Sequence, residues 1–441
     1  MIRNNRLVLI ALLFTGLLST LLLPSRADAD ATAPQSYGRT PEAYRPYGKF
    51  VQPYKQFFIE PNEYRGYGRN LPTPERVESV KIGFLGPIEK TVSVATGGLS
   101  HEEPLGRMML QGAKLAIEEA NAAKGFRGSG VLYRLVVKND NGLWGASGNE
   151  VVDLAYREKV WAILGTIDGA NSHIAIRAAL KIEVPVMNTG DTDPTFIETA
   201  IPWVFRCIAD DRQMCYVLAD HVFGRMKLTR VAALRANNRY GRIGIDEFRD
   251  AATRLGYPFL GEVNYTVGEK DFSNQLEILK ALDPEVIITY GDAAESALIY
   301  RQMRAMGMNQ WLVGSDRMVS ETFLKAVGPD ATKVMAGYPY NPMRKDKKLA
   351  AFRHAFTARF GQAPESYAAH AYDGMKMLIA AIEKGGLNRA LIRDQLAAMK
   401  RYHGVTGEKH FDAIFNNIAP ASLAILDGGR FIFHPPNGED R

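Results

Sequence analysis

The amino-acid sequence predicts an α/β protein of two doubly wound parallel-sheet lobes joined by a hinge that the chain crosses more than once. Three observations predict it. From Val80 onward, short apolar runs alternate with amphipathic stretches, the signature of β-α units around parallel sheets. The alternation runs through two successive series, and 441 residues exceed what one hydrophobic core usually serves. The last third, from about Ala350, is mostly helical and too poor in strands to form a third lobe, so it completes the first two.

The chain opens with Arg3 and Arg6, an apolar run of 17 residues from Leu7 to Leu23, and the small residues Ala27, Asp28 and Ala29. Charged, apolar and small residues in that order are the grammar of a secretory signal, assigned here to residues 1–29. An uncleaved anchor is the alternative, because 17 apolar residues approach the length that spans a bilayer. No cysteine stands near the cleavage point, which argues against a bacterial lipid anchor. Residues 30–79 then change character. Pro34, Pro41, Pro46, Pro53, Pro61, Pro72 and Pro74 lie among many tyrosines without aliphatic periodicity, and read as an extended, largely unfolded leader. Within it Tyr44-Arg45-Pro46-Tyr47-Gly48 is nearly repeated as Tyr64-Arg65-Gly66-Tyr67-Gly68, either a spacer or a docking arm.

Strands are predicted at Val80–Leu85, Leu132–Val137, Val160–Leu164, Val184–Asn188 and Trp203–Cys207, and in the second series at Arg230–Leu234, Pro258–Tyr265, Val286–Tyr290 and Trp311–Gly314. Leu105, Met109, Ala113, Ala116 and Ala120 fall on one face of a helix after Pro104. Further helices are predicted at Asp211–Met226, Gly241–Leu255, Phe272–Leu282 and Ala293–Met306. The expected lobes are 80–206 with 338–418, and 207–337 with 419–441.

Composition narrows the function. The formal charge is +6, and falls to +4 when Arg3, Arg6, Arg26 and Asp28 leave with the signal, too weak and too evenly spread for nucleic acid. Cys207 and Cys215 form either one disulfide or two buried free thiols, and are too few for a zinc site. The sequence lacks a Gly-x-Ser-x-Gly elbow, a His-Glu-x-x-His motif and a phosphate loop, and Gly125-Phe126-Arg127-Gly128-Ser129-Gly130 has the wrong spacing for a dinucleotide loop. The histidines are scattered without metal-ligand spacing. No enzyme, no metal and no cofactor is expected.

In open parallel sheets ligands bind beyond the carboxyl ends of the strands. The loops there are Gly165-Thr166-Ile167-Asp168-Gly169-Ala170-Asn171-Ser172 and Thr189-Gly190-Asp191-Thr192-Asp193-Pro194, small, polar and opening into helices, as suits an anion. Simple helix capping by Asn171, Ser172, Thr192 and Asp193 is the bland alternative. The second series ends its strands in Asn237-Asn238-Arg239-Tyr240-Gly241, Tyr290-Gly291-Asp292 and Gly314-Ser315-Asp316-Arg317. Asp292 and Asp316 suit a ligand cation, unless Arg317 or Arg301 serves as a structural partner.

Several strings resemble the type I periplasmic solute-binding proteins, specifically the leucine/isoleucine/valine-binding family that feeds branched-chain amino acid ABC importers. They are Lys81-Ile82-Gly83-Phe84-Leu85-Gly86, Gln111-Gly112-Ala113 with Ile117 through Asn121, Asn238-Arg239-Tyr240-Gly241, Gly268-Glu269-Lys270-Asp271-Phe272, and Arg301-Gln302-Met303-Arg304 with Gly307. The resemblance runs from Val80 to about Leu426. It implies the type I periplasmic binding protein fold, a monomer outside the cytoplasm, an amino acid or related ligand, and an ABC transporter permease as partner. It implies a backbone carbonyl at Gly190, a hydroxyl at Thr192, an aromatic at Tyr240, an ammonium-binding acid at Asp316 and a wall aromatic at Tyr367. The sequence departs from the pattern twice: near Gly169 the usual serine is missing, leaving Ala170, Asn171 and Ser172, and Asp292 stands where an aromatic is common. Two nearby acids imply a raised pKa unless a cation sits between them. A ligand-sensing component of a receptor is the competing function.

Overall fold

The computed structural model describes residues 60–91 and 100–435; the predicted signal and the leader up to residue 59, with the first copy of its repeat, lie outside them. The first half of the chain forms β1 (Ser79–Gly86), the hairpin β2 (Glu89–Thr91) and β3 (Ser100–Glu102), α1 (Pro104–Ala122), β4 (Leu132–Asn139), α2 (Trp144–Val152), β5 (Ile163–Leu164), α3 (Gly169–Ile182), β6 (Val186–Asn188), the single turn α4 (Thr195–Glu198) and β7 (Val204–Arg206). These strands pair in the order β4-β1-β5-β6-β7, every pair parallel. A parallel sheet is covered on both faces, which is why its strands read as continuous apolar runs.

The second half forms α5 (Asp211–Ala219), β8 (Val231–Ala236), α6 (Arg239–Arg254), β9 (Glu262–Tyr265), α7 (Ser273–Ala281), β10 (Val286–Tyr290), α8 (Ala293–Ala305), β11 (Trp311–Gly314), α9 (Glu321–Val327) and β12 (Val334–Tyr338). There follow α10 (Lys347–Phe360), α11 (Ser366–Gly385), α12 (Arg389–Ala398), the hairpin β13 (Arg401–Gly404) and β14 (Gly407–His410), and finally β15 (Ser422–Asp427) and β16 (Arg430–His434). The second sheet runs β16-β15-β12-β11-β10-β8-β9. It is parallel from β12 through β9, but β15 and β16 add an antiparallel edge that the predicted helical last third did not include.

The last third serves both lobes. Helix α11 buries Tyr367, Ala371, Met375 and Leu378 against α1 and the first sheet. Gly112 of α1 permits that approach, because a Cβ there would collide with the Ala368 carbonyl. Residues beyond Arg206, beyond Tyr338 and around 416–422 pass between the sheets, so the hinge has three crossings. Two of them are laced together: the Arg206 amide donates to Phe415 O at 3.1 Å, and the Asn417 amide donates to Arg206 O at 3.1 Å. The Arg206 guanidinium, fully buried, holds Asp210 at 2.7 Å, Asn416 at 2.8 Å and the Asp193 carbonyl at 2.6 Å.

The leader needs a correction. Residues 60–78 are irregular apart from a 3-10 turn at Tyr67–Asn70, but they are not an unfolded spacer; they are strapped onto the first lobe. Tyr64 is buried edge-on against Trp203 at 4.8 Å, its hydroxyl donates to Glu183 at 2.7 Å and accepts the Gly68 amide at 2.8 Å. Arg69 pairs with Asp394 at 2.6 Å, and Asn388 donates to the carbonyls of Gly68 and Leu71. One aromatic anchor and a few long-range bonds order a segment that has no periodicity to announce itself. Cys207 and Cys215 are buried and free.

Candidate functional site

Each strand end delivers one part of the site. After β11 the chain turns through Asp316, which is buried at 2% exposure. Its carboxylate accepts the hydroxyl of Tyr240 at 2.8 Å and that of Tyr367 at 3.2 Å. Tyr240 lies in the first turn of α6, where the Asn238 side chain accepts the Gly241 amide at 2.8 Å and caps the helix. Tyr367 comes from α11, so the two hydroxyls reach one carboxylate from the two lobes. Burial raises the Asp316 pKa, opposed by Arg317 and the two tyrosines.

Arg317, the next residue, crosses the cleft. It donates to Asp292 at 2.7 Å and to Asp168, at the start of α3 in the first lobe, at 2.8 Å. Its guanidinium lies 3.7 Å over the Tyr240 ring. Burial pushes Asp168 up, but the charges of Arg317 and Lys90 outweigh it and leave the carboxylate below its usual range. The cation expected between acids of the second lobe is thus supplied by the chain itself. A second bridge runs beside it: Arg239 of α6 donates to Asp193 at 2.6 Å and to the Thr195 hydroxyl at 2.7 Å.

That second bridge accounts for the missing serine. A Cβ on Gly169 would stand 2.5 Å from an Asp193 carboxylate oxygen and 3.0 Å from Arg239 Nε, so the ion pair fills the place a side chain would need. Ala170 is exposed. Asn171 is turned away to donate to Asp140 at 2.9 Å, and Ser172 bonds the Thr166 hydroxyl and the Asp168 carbonyl, so these two side chains are occupied within the first lobe. The loop after β6 is stitched by Asn188, whose side chain accepts the amides of Gly190 and Asp191, both at 2.9 Å. Thr192 offers its carbonyl to the Asp211 amide at 2.8 Å, which brings the start of α5 against this loop.

The structure therefore gathers Thr192, Tyr240, Asp292, Asp316 and Tyr367 around the cleft, and adds residues that the motifs did not single out as ligand contacts: Asp168, Asp191, Asp193, Asp211 and Arg317. Asp211 is fully buried, and neither of its carboxyl oxygens has a hydrogen-bond partner of good geometry, although the Thr192 hydroxyl lies close enough to favour its charged form. Burial, and then the charge of Asp316, holds its pKa well above the ordinary carboxylate range. Asp191 is pushed up to about 7 by burial and by Asp193. The adjacent acids Asp210 and Asp211, at the helix start that follows β7, were the available signal, although Asp210 serves as the helix cap. Among the described residues no group of His, Cys, Asp and Glu is arranged to hold a metal ion.

Comparison with known proteins places this geometry. Residues 79–427 match a family model described as "Periplasmic binding protein". The Leu/Ile/Val-binding protein homolog 1 of Brucella abortus is 26% identical over 283 residues, 64% of this chain and 75% of that one. An amino acid binding protein of Pseudomonas aeruginosa is 26% identical over 316 residues, 70% of this chain and 82% of that one. In structure, the branched-chain amino acid transporter substrate binding protein LivJ of Streptococcus pneumoniae, in complex with isoleucine, superposes with a TM-score of 0.71 at 24% identity, covering 80% of this chain and 99% of the other. A Rhodopseudomonas palustris solute binding protein holding benzoate gives 0.70 at 17% identity, covering 80% and 95%. Both structural likenesses concern the fold.

Proposed function

Because the chain belongs to the periplasmic binding protein family, we propose that it is an extracytoplasmic solute-binding protein that closes its two lobes on a small polar solute and presents the closed form to the permease of an ABC importer. The observation that carries this reading is Asp316, a buried carboxylate held by one tyrosine from each lobe, so that whatever engages it is engaged by both lobes at once. A ligand that contacts both lobes stabilises the closed arrangement by its differential affinity for it. The solute is an amino acid or a related compound, the protein acts as a monomer in the periplasm or outside the cell, and it performs no chemistry on its cargo. Gly169, Ala170, Gly190, Thr192, Tyr240, Asp292, Asp316 and Tyr367 border the site, with Asn171 and Ser172 behind it.

The test is a thermal-shift screen of protein unfolded and refolded to strip carried-over ligand, against amino acids, amines, amides, small carboxylates and polyols. A ligand at 100 times its dissociation constant adds about 2.7 kcal/mol, a shift of a few degrees. A stabilising solute whose effect vanishes in Asp316→Asn is the expected result. A solute that binds this variant with wild-type affinity would remove Asp316 from the site.

A further inference from the structure

We infer that the cleft selects a small organic cation that carries no free carboxylate, such as a short amine or diamine, and that Asp211 is a second carboxylate for its ammonium beside Asp316. This deepens the solute-capture reading and rests on it.

The first ground is the state of Asp211. It opens α5 at the hinge, is fully buried, and has both oxygens without a hydrogen-bond partner of good geometry. A buried carboxyl group either keeps a proton, as the raised pKa of Asp211 allows, or is satisfied by a cation or donors, and a ligand ammonium lets it ionise. The neighbouring guanidiniums are paired with other acids: Arg206 with Asp210, Arg212 with Glu198 and Glu247, Arg239 with Asp193, and Arg317 with Asp168 and Asp292. The charge of Asp316 lies close enough to raise the Asp211 pKa, as does that of Asp193. A ligand ammonium between Asp211 and Asp316 supplies the donors that the protein withholds.

The second ground is the sign of the opposite wall. An amino acid presents its carboxylate to the first-lobe loops, and here those loops carry Asp168, Asp191 and Asp193. Asp168 is matched by Arg317 with the charge of Lys90 beside it, and Asp193 by Arg239, whereas Asp191 has one oxygen buried without a partner. The hydroxyls at the start of α3 do not offset this, since Ser172 and Thr166 bond each other. A ligand carboxylate placed against this wall would compete with Asp168 and Asp193 for the arginines that hold them, whereas an amine would meet acidic groups at both ends. Arg317, stacked on Tyr240 across the cleft, also takes up room that a branched apolar side chain would use, which confines the ligand to a short skeleton.

The experiment is isothermal titration calorimetry on the refolded, ligand-free chain with matched probes: ethanolamine and putrescine as cations, L-serine as the zwitterion of ethanolamine's skeleton, and propionamide as a neutral donor. Binding of an amine, with serine at least tenfold weaker, is the expected result. Asp211→Asn weakens the amine at least tenfold, and Asp211→Glu, which keeps the charge, restores part of it, while circular dichroism shows both variants folded. Serine or propionamide binding as well as or better than the amines overturns the cation reading and leaves solute capture standing. An amine that binds Asp211→Asn as it binds the wild type overturns the role of Asp211. Silence from every probe, with the thermal-shift screen equally silent, sinks both readings.

Discussion

The guanidinium of Arg317 bonds Asp168 of the opposite lobe at 2.8 Å while its other terminal nitrogen bonds Asp292 of its own lobe at 2.7 Å. One side chain thereby joins the two walls of the cleft. These bonds favour the arrangement in which the two walls are held together, and under the proposed function a solute bound by both lobes would add to that preference.

Removing the bridge tests this. In Arg317→Ala the carboxylates of Asp168 and Asp292 lose their partner, and because both are partly exposed the loss is about 1–2 kcal/mol of closed-state stability, roughly a tenfold change in population. Small-angle scattering of the ligand-free protein is expected to show a larger radius of gyration in the variant, and the difference is expected to shrink at high salt, where the wild-type bridge weakens too. An unchanged scattering curve would mean that the lobes close for other reasons.

The strap gives a second prediction. Tyr64→Ala removes a buried ring packed on Trp203 together with the bonds to Glu183 and Gly68, a cost of about 2–4 kcal/mol. The loss is expected as faster amide exchange over residues 60–78 and a higher solvent exposure of Trp203 in fluorescence. Truncating residues 60–78 in addition to 1–59 is expected to lower the melting temperature relative to truncating 1–59 alone.

Inside the first lobe, Lys409 and Asp373 form an ion pair at 2.7 Å, both nearly fully buried, and Asp373 also accepts the amides of Val405 and Thr406. This fastens the β13–β14 hairpin to α11. Breaking a buried pair from one side costs about 3–5 kcal/mol, so Lys409→Met is expected to lower the urea midpoint markedly. The double variant Lys409→Met with Asp373→Leu is expected to recover part of the loss, because no carboxylate is then left unpaired.

His370 supplies the pH dependence. It is buried in α11, and burial, with the charge of Lys409 second, lowers its pKa to about 3. The unfolded chain binds this proton near pH 6.5. Between 6.5 and 3 the unfolded state therefore holds more protons, and the contribution present above 6.5 is lost as the pH falls through that window. Asp412 and Glu247, raised to about 7 by burial, act with the opposite sign, since their folded forms keep the proton while the unfolded ones release it. The clean readout is the difference between wild type and His370→Gln in urea unfolding at pH 7, 6 and 5. The wild-type advantage over the variant is expected to diminish at each step down.

The outline of the fold was legible because burial imposes period. The runs Val286–Tyr290 and Trp311–Gly314 read as strands and are strands, and Met109, Ala113 and Ala116 share a helix face because the core needs one. That Tyr240 and Asp316 lie at the cleft was legible because both follow strand ends, where an open sheet places its ligands, and the two side chains do meet there. Local order also decided the Asn238 cap, since an Asn at that position captures an amide three residues on.

Tertiary structure decided what depends on pairing across the chain. Residues 60–78 carry no periodic signal, and the Trp203 face, the carboxylates of Glu183 and Asp394 and the side chain of Asn388, all far along the sequence, give them something to hold. Whether Asp292 met a ligand cation or a structural arginine was open until folding set Arg317 beside it, with Asp168, 149 residues earlier, on the same guanidinium. Asp211 could not be told from a surface acid by its neighbours in sequence, because its significance is the absence of a partner of good geometry, and that is a property of the packed cleft. Hydrophobic period is a local consequence of burial and survives in the linear chain, whereas the partner of a charge is fixed only when folding sets distances between distant residues.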